Sequence, residues 1–253
     1  MATGRAAVLI EKNRVEQWDV AIHDPDPGGA LIRVVLGGVC GTDVHLMRHL
    51  ADNYPLPVIL GHEGVGRIEK LGSEISTDFA STPVKPGDLV YWSPKRACGR
   101  CYTCAVLDEG PCEQALFCGP ASEPSWASHA EFAWLPRGMP FFKVPDGVAP
   151  EAVIALGCGL PTAVRGLDLT GPVQFGETVV IQGAGPVGLA ATLISKVAGA
   201  REIIVIDGNA ERLRRAKLLG ATATVAHDSG AEDRRRIVQD LCGPVGPNVV
   251  VEA

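Results

Sequence analysis

The chain has no long apolar run and no excess of positive charge. No stretch approaches the roughly 18 apolar residues of a membrane span, and Met1 to Ile10 lack the basic start and apolar centre of a secretion leader, so neither insertion nor export is expected. The formal net charge is −6 and the isoelectric point is near 5.5, which leaves no basic face for a phosphate backbone. The one basic cluster, Arg234-Arg235-Arg236, reads as a solvated helix surface, and neither nucleic acid nor a membrane is an expected partner. There is no internal repeat and no low-complexity segment. What is present is a chain of 253 residues, 46% of them hydrophobic, enough for buried cores in one large domain or two ordinary ones.

Eight cysteines stand out against that background. Four fall at Cys98, Cys101, Cys104 and Cys112, interleaved with Gly99, Gly110 and Pro111, a spacing that suits one tetrahedral zinc better than a set of disulfides. Four thiolates close the coordination sphere and leave no place for a substrate, so this site is expected to be structural. Cysteines used as metal ligands rather than bridges point to a reducing compartment, the cytoplasm.

The texture changes along the chain. Up to about Pro145 it consists of short β-rich runs such as Ala30 to Leu36 and Asp88 to Trp92, separated by Gly, Pro and Asp turns, which predicts an irregular, mostly β domain over residues 1–150. Within residues 151–253, strand and helix patterns alternate: Thr178 to Gln182, Val187 to Ala198, Glu202 to Asp207, Ala210 to Leu219, Ala223 to Ala226, Glu232 to Leu241 and Asn248 to Glu252. The strands are continuous apolar runs, as buried parallel strands are. Between the first strand and helix lies Gly183-Ala184-Gly185-Pro186-Val187-Gly188. Its small residues allow a pyrophosphate to approach the helix N-terminus, and Gly188 allows close helix-to-strand packing. Asp207, at the end of the second strand, is placed to accept hydrogen bonds from ribose hydroxyls and to repel a 2′-phosphate, favouring NAD over NADP; the alternative is that it caps the next helix. Arg212 either neighbours the same ribose or faces solvent.

Three further residues are scattered. Cys40 follows an apolar strand, His62 follows Pro57 to Leu60 and Gly61, and Cys158 sits between Gly157 and Gly159. Two thiolates and an imidazole make a three-ligand zinc site with its fourth position open, which is the catalytic form.

With these motifs in place, the chain resembles the zinc-dependent medium-chain alcohol dehydrogenases along its whole length. The fold this implies is an α/β protein with a β-rich part: an N-terminal GroES-like barrel, then a partial Rossmann domain of doubly wound parallel sheet in strand order 3-2-1-4. Cys40, His62 and Cys158 match the family's catalytic zinc ligands, and Cys98, Cys101, Cys104 and Cys112 its structural lobe. Two zinc ions and NAD are the implied cofactors, a small alcohol the implied substrate, and a homo-oligomer the usual assembly.

The resemblance also assigns roles one residue at a time. Thr42 matches the hydroxyl that contacts the alcohol oxygen, and His45 the outer end of the proton relay. A turn hydroxyl and a surface histidine are the plainer alternatives. Asp43 would hold the second nitrogen of His62, and Glu63 resembles a carboxylate behind the metal; the alternative for either residue is to satisfy local backbone donors. Thr162 matches a position near the nicotinamide, and Trp92 an aromatic wall of the substrate pocket. Residues 49–57 would line another side, and residues 122–129, which depart from the family's glycine-rich strand entry, its mouth. His129 reads as a surface or strand-end residue, and Cys118 and Cys242 as packing. Zinc-free quinone reductases of the same superfamily lack these ligands. The fourth strand ends at Glu252 and the chain at Ala253, where the resemblance implies two more strands. Two expectations follow: a zinc- and NAD-linked enzyme acting on a secondary or cyclic alcohol, or a truncated, non-catalytic zinc-binding remnant of one.

Overall fold

The computed structural model describes residues 2–50, 55–98, 100–107, 112–113, 121, 125–155, 157–228 and 230–253, with the backbone alone at residues 50 and 107. The chain divides into two compact units, Met1–Gly157 and Cys158–Ala253.

In the first unit, β1 (Thr3–Glu11) pairs antiparallel with β2 (Arg14–Ala21) and with β4 (Val58–Ile59), giving the order β2-β1-β4. A second sheet runs β7-β3-β5-β6-β8, built from β3 (Ala30–Gly38), β5 (Glu63–Leu71), β6 (Leu89–Trp92), β7 (Phe132–Leu135) and β8 (Phe141–Lys143). Its inward residues Ile32, Ile68, Val90, Trp92, Leu135 and Phe141 belong to one core cluster. Full burial of one such side chain is worth about 1.5–3 kcal/mol. Short helices interrupt the sheets: α1 (Gly41–His45), continued by a π-helical turn Leu46–Leu50, and α2 (Pro150–Ile154), which packs on β3 and β5.

The second unit is a four-stranded parallel sheet, β11-β10-β9-β12, of β9 (Thr178–Gln182), β10 (Glu202–Asp207), β11 (Ala223–Ala226) and β12 (Val249–Glu252). This is the expected order 3-2-1-4. Helices α4 (Pro186–Val197), α5 (Ala210–Leu219) and α6 (Ala231–Cys242) alternate with the strands, and α3 (Gly159–Thr170) precedes them. The first four residues of β9 are buried, as a parallel strand covered on both faces requires. Asn209 caps α5 by accepting from the N–H groups of Glu211 and Arg212, and Gly220 ends it in the left-handed conformation at φ 118°. The cap that Asp207 might have supplied is therefore made by Asn209. Cys242 is buried against Val180, Ile204 and Val225; Cys118 lies outside the described residues. Among the described residues, no helix is long and apolar enough to cross a membrane.

Candidate metal and cofactor sites

Two groups of side chains that could hold a metal ion are found among the described residues. In the first cluster, the sulfurs of Cys98, Cys101, Cys104 and Cys112 lie within 4.8 Å of one another, and the described cysteines form no disulfide. Thiolates around a zinc with bonds of about 2.3 Å sit about 3.8 Å apart; Cys101 and Cys112 are 3.9 Å apart. Backbone N–H groups already serve these sulfurs: Cys98 donates to Cys112 Sγ and Cys101 to Cys98 Sγ, both at 3.3 Å. The Thr103 hydroxyl, 3.1 Å from Cys101 Sγ, is the main cause that brings the Cys101 thiol down to about 6, against burial and with help from nearby N–H groups. A thiolate at neutral pH is the form a metal needs. The donor set fits a closed zinc site.

The second cluster is assembled by turns at strand ends. β3 runs out at Gly38, and Cys40 then stands at the N-cap of α1. His62 and Glu63 follow β4 through the turn at Gly61 and open β5. Cys158 is joined by its peptide bond to Gly157, whose α-carbon abuts the Glu63 carboxylate so closely that any Cβ there would overlap it. The ligand atoms of Cys40, His62, Glu63 and Cys158 all lie within 4.8 Å of one another. Two thiols, an imidazole and a carboxylate fit zinc, with the carboxylate an alternative to an incoming oxygen ligand.

Asp43 underlies this cluster and is itself buried. It accepts from Cys40 N at 2.8 Å and Gly61 N at 3.1 Å, and its Oδ1 lies 3.4 Å from His62 Nδ1. Asp43 thus satisfies two backbone donors and also contacts the His62 ring. Its hydrogen bond raises His62 to about 9, against the opposing effect of burial. Burial opposes ionisation of Asp43 in turn, but the hydrogen bonds from His62 and Cys40 outweigh it and lower its pKa. Thr42 and His45 are exposed on α1, the Thr42 hydroxyl 3.7 Å from Cys40 Sγ. His45 stacks obliquely on His49, ring centroids 5.5 Å apart.

Trp92 requires a correction. It is fully buried in the sheet core, its indole N–H donates to the Trp126 carbonyl at 2.9 Å, and its ring covers Gly64 where any Cβ would clash. A side chain enclosed on every face does not line an open pocket. Residues 125–128 are likewise buried. Residues 122–124, and residues 51–54 of the second proposed wall, lie outside the described residues.

In the second unit, the glycine loop lies between β9 and α4. Gly188 approaches the Gly183 carbonyl too closely for any side chain, Gly185 is the N-cap of α4, Pro186 takes the first helical position and Val187 follows. Gly159 packs directly against Pro186 and Val187. Asp207 accepts from Ala184 N and Asn209 N, each at 2.7 Å, and Arg212 stands 3.9 Å away. Burial opposes ionisation of Asp207, yet these N–H groups and Arg212 lower its pKa. A cleft of about 340 Å³ at the carboxyl ends of the strands is lined by Gln182, Gly183, Asp207, Gly208, His227 and Arg234. Thr162 is exposed on α3 and donates its hydroxyl back to the Cys158 carbonyl at 2.8 Å.

His227 and Arg234 were not singled out in the sequence for this cleft. Arg234 reaches it by donating to the His227 carbonyl at 2.6 Å, a contact that the basic triplet alone does not signal.

Residues 26–146 match the alcohol dehydrogenase GroES-like domain family, and residues 186–253 match the zinc-binding dehydrogenases. A 5-exo-hydroxycamphor dehydrogenase of Pseudomonas putida is 56% identical, an alignment that covers 100% of this chain and 70% of that protein. Among solved structures, an alcohol dehydrogenase of Thermotoga maritima has 32% identity and a TM-score of 0.89, covering 100% of this chain and 71% of its own. A Sinorhizobium meliloti protein described as a zinc-binding dehydrogenase bound to NADP has 29% identity and a TM-score of 0.80, covering 100% of this chain and 70% of its own.

Proposed function

Because the chain belongs to the zinc-dependent medium-chain alcohol dehydrogenases, which use zinc and a nicotinamide cofactor on small alcohols, we propose that it interconverts a ring-borne secondary alcohol and its ketone with NAD. The observation that carries this reading is the convergence of the ligand atoms of Cys40, His62, Glu63 and Cys158, in a chain that also carries an intact glycine loop. The 56% identity to the hydroxycamphor dehydrogenase supports a cyclic secondary alcohol as substrate.

Cys40, His62 and Cys158 would hold the catalytic zinc, with Glu63 as an exchangeable fourth ligand; Cys98, Cys101, Cys104 and Cys112 would hold a second, structural zinc. Bound zinc supplies the positive charge against which an alcohol oxygen gives up its proton. Asp43 fixes the tautomer and aim of His62 through Nδ1. Thr42 would accept the alcohol proton while releasing its own through the cofactor ribose toward His45, exposed one turn further on, which would pass a proton to solvent. Gly183, Gly185, Pro186, Val187 and Gly188 cradle the pyrophosphate, and Asp207 takes the adenosine ribose with Arg212 beside it. The lone pairs of Asp207 not used by Ala184 and Asn209 support NAD over NADP. Thr162 would flank the nicotinamide. Residues 1–150 are the proposed catalytic domain and residues 151–253 the NAD-binding domain of a cytoplasmic protein whose family usually forms homo-oligomers; that the described cysteines are not in disulfides supports the compartment.

The test is metal analysis and turnover on Cys40→Ser. The unsubstituted protein should hold two zinc ions and reduce NAD with a cyclic secondary alcohol; Cys40→Ser should hold one and lose turnover by at least about 10³-fold. Undiminished turnover in the variant would remove the catalytic metal from this site.

A further inference from the structure

We infer that His129 is a positioning residue that holds the two turns carrying Cys40 and His62 at a fixed separation. The inference rests on the metal site proposed above and adds to it a residue outside the ligand set.

His129 belongs to a short segment in which Ser125, Trp126, Ala127 and Ser128 are all buried. It reaches both ligand-bearing turns. Its Nε2 lies 2.9 Å from the carbonyl oxygen of Gly38, two residues before Cys40. A carbonyl only accepts, so Nε2 carries the hydrogen and donates. On the other side, His129 N donates to Leu60 O at 3.0 Å and Ser128 N donates to Gly61 O at 3.1 Å, gripping the turn just before His62.

The imidazole face is also packed. Gly61 has φ +90°, and a Cβ there would fall 2.5 Å from both His129 Cδ2 and Ser128 Oγ, so the ring lies flush on the Gly61 backbone. Gly61 N is held from a third direction by Asp43 Oδ1 at 3.1 Å. The His129 carbonyl accepts from Ala7 N at 2.8 Å, which anchors the segment to β1. One side chain therefore bridges the end of β3 and the turn after β4, the two segments that deliver a thiolate and an imidazole to one ion. β3 pairs with β5, whose first residue Glu63 lies opposite Gly38, while β4 pairs with neither of them; the ladder thus begins one residue past His62, and the Gly61 turn before it is held by Ser128, His129 and Asp43. Phenylalanine at this position would fill the space without donating; glutamine would restore a donor.

Residues that support metal ligands from outside typically affect metal affinity by about 10–100-fold. His129 acts on backbone rather than on a ligand side chain, so the low end, about tenfold, is expected. The experiment is cobalt substitution of the purified protein and of His129→Phe and His129→Gln, following release of cobalt to a chelator by its thiolate absorption. Comparison with Cys40→Ser separates the Cys40-dependent metal from that of the four-cysteine lobe. His129→Phe should release the Cys40-dependent cobalt about tenfold faster and alter its ligand-field spectrum, while the lobe keeps its cobalt and His129→Gln returns to within about threefold of the original rate. Release from His129→Phe within twofold of the unsubstituted protein would overturn the role of His129. So would equal loss of both metals in the Phe and Gln variants, since that is general loosening. Absence of any Cys40-dependent cobalt in the unsubstituted protein would overturn the metal-site reading itself, and this one with it.

Discussion

Trp92 gives a sharp test of core against pocket. Replacing it with phenylalanine removes the indole N–H that donates to the Trp126 carbonyl at 2.9 Å in a fully buried setting. A stranded buried acceptor costs about 1–3 kcal/mol. The smaller ring also leaves unfilled space over Gly64, adding about 1–2 kcal/mol at about 0.8 kcal/mol per lost methylene-sized group. Together, Trp92→Phe should destabilise the first unit by about 2–5 kcal/mol. The remaining tryptophans, Trp18, Trp126 and Trp134, all lie in that unit, so their fluorescence reports its unfolding. With a urea slope of about 2 kcal/mol per M, the midpoint should fall by about 1–2.5 M, at saturating zinc. Relative kcat/KM for small and large alcohols should not change, because Trp92 touches no open cavity. A midpoint shifted by less than about 0.3 M, together with a widened range of bulky substrates, would refute the burial argument and return Trp92 to the pocket wall.

Two further outcomes follow from the electrostatics. Asp207→Asn should weaken NADH binding by about 10-fold or more, since a hydrogen bond to a charged group is worth about 1.5–3 kcal/mol, and should leave NADPH much less affected; titration of both dinucleotides by fluorescence reads the ratio, and a preference of the unsubstituted protein for NADPH would remove Asp207 from cofactor selection. Asp78 is buried, and although burial opposes its ionisation, the N–H groups of Lys143, Thr82 and Ala80 lower its pKa. A carboxylate lowered in the folded state stabilises above its unfolded pKa, and that stability is lost as pH falls through the folded value. Asp78→Asn should therefore cost about 1–3 kcal/mol at pH 7 and progressively less below about pH 4, as read from urea midpoints across that range; a pH-independent difference would contradict the assignment.

The sequence by itself determined the second unit almost completely. Strands β9 to β12, the helices between them, their order, and the glycine loop were all legible because each signal is local: a buried parallel strand is a continuous apolar run, and a tight pyrophosphate turn needs small residues at fixed offsets. The four-cysteine lobe was legible for the same reason, with all its ligands inside fifteen residues. Cys40, His62 and Cys158 are far apart in sequence, and the resemblance to a family, not their spacing, brought them together before the structure did.

Only the tertiary structure decided what the aromatic and histidine residues do. The Trp92 bond to Trp126 spans 34 positions, and the His129 bond to Gly38 spans 91. No periodicity or motif marks such pairs, because which face of a strand is enclosed depends on what packs over it. The sequence placed a tryptophan near a metal lobe and a histidine at a strand end. Packing turned the first into core and tied the second to Gly38, because each ring N–H finds its carbonyl partner only where strands distant in sequence are brought together.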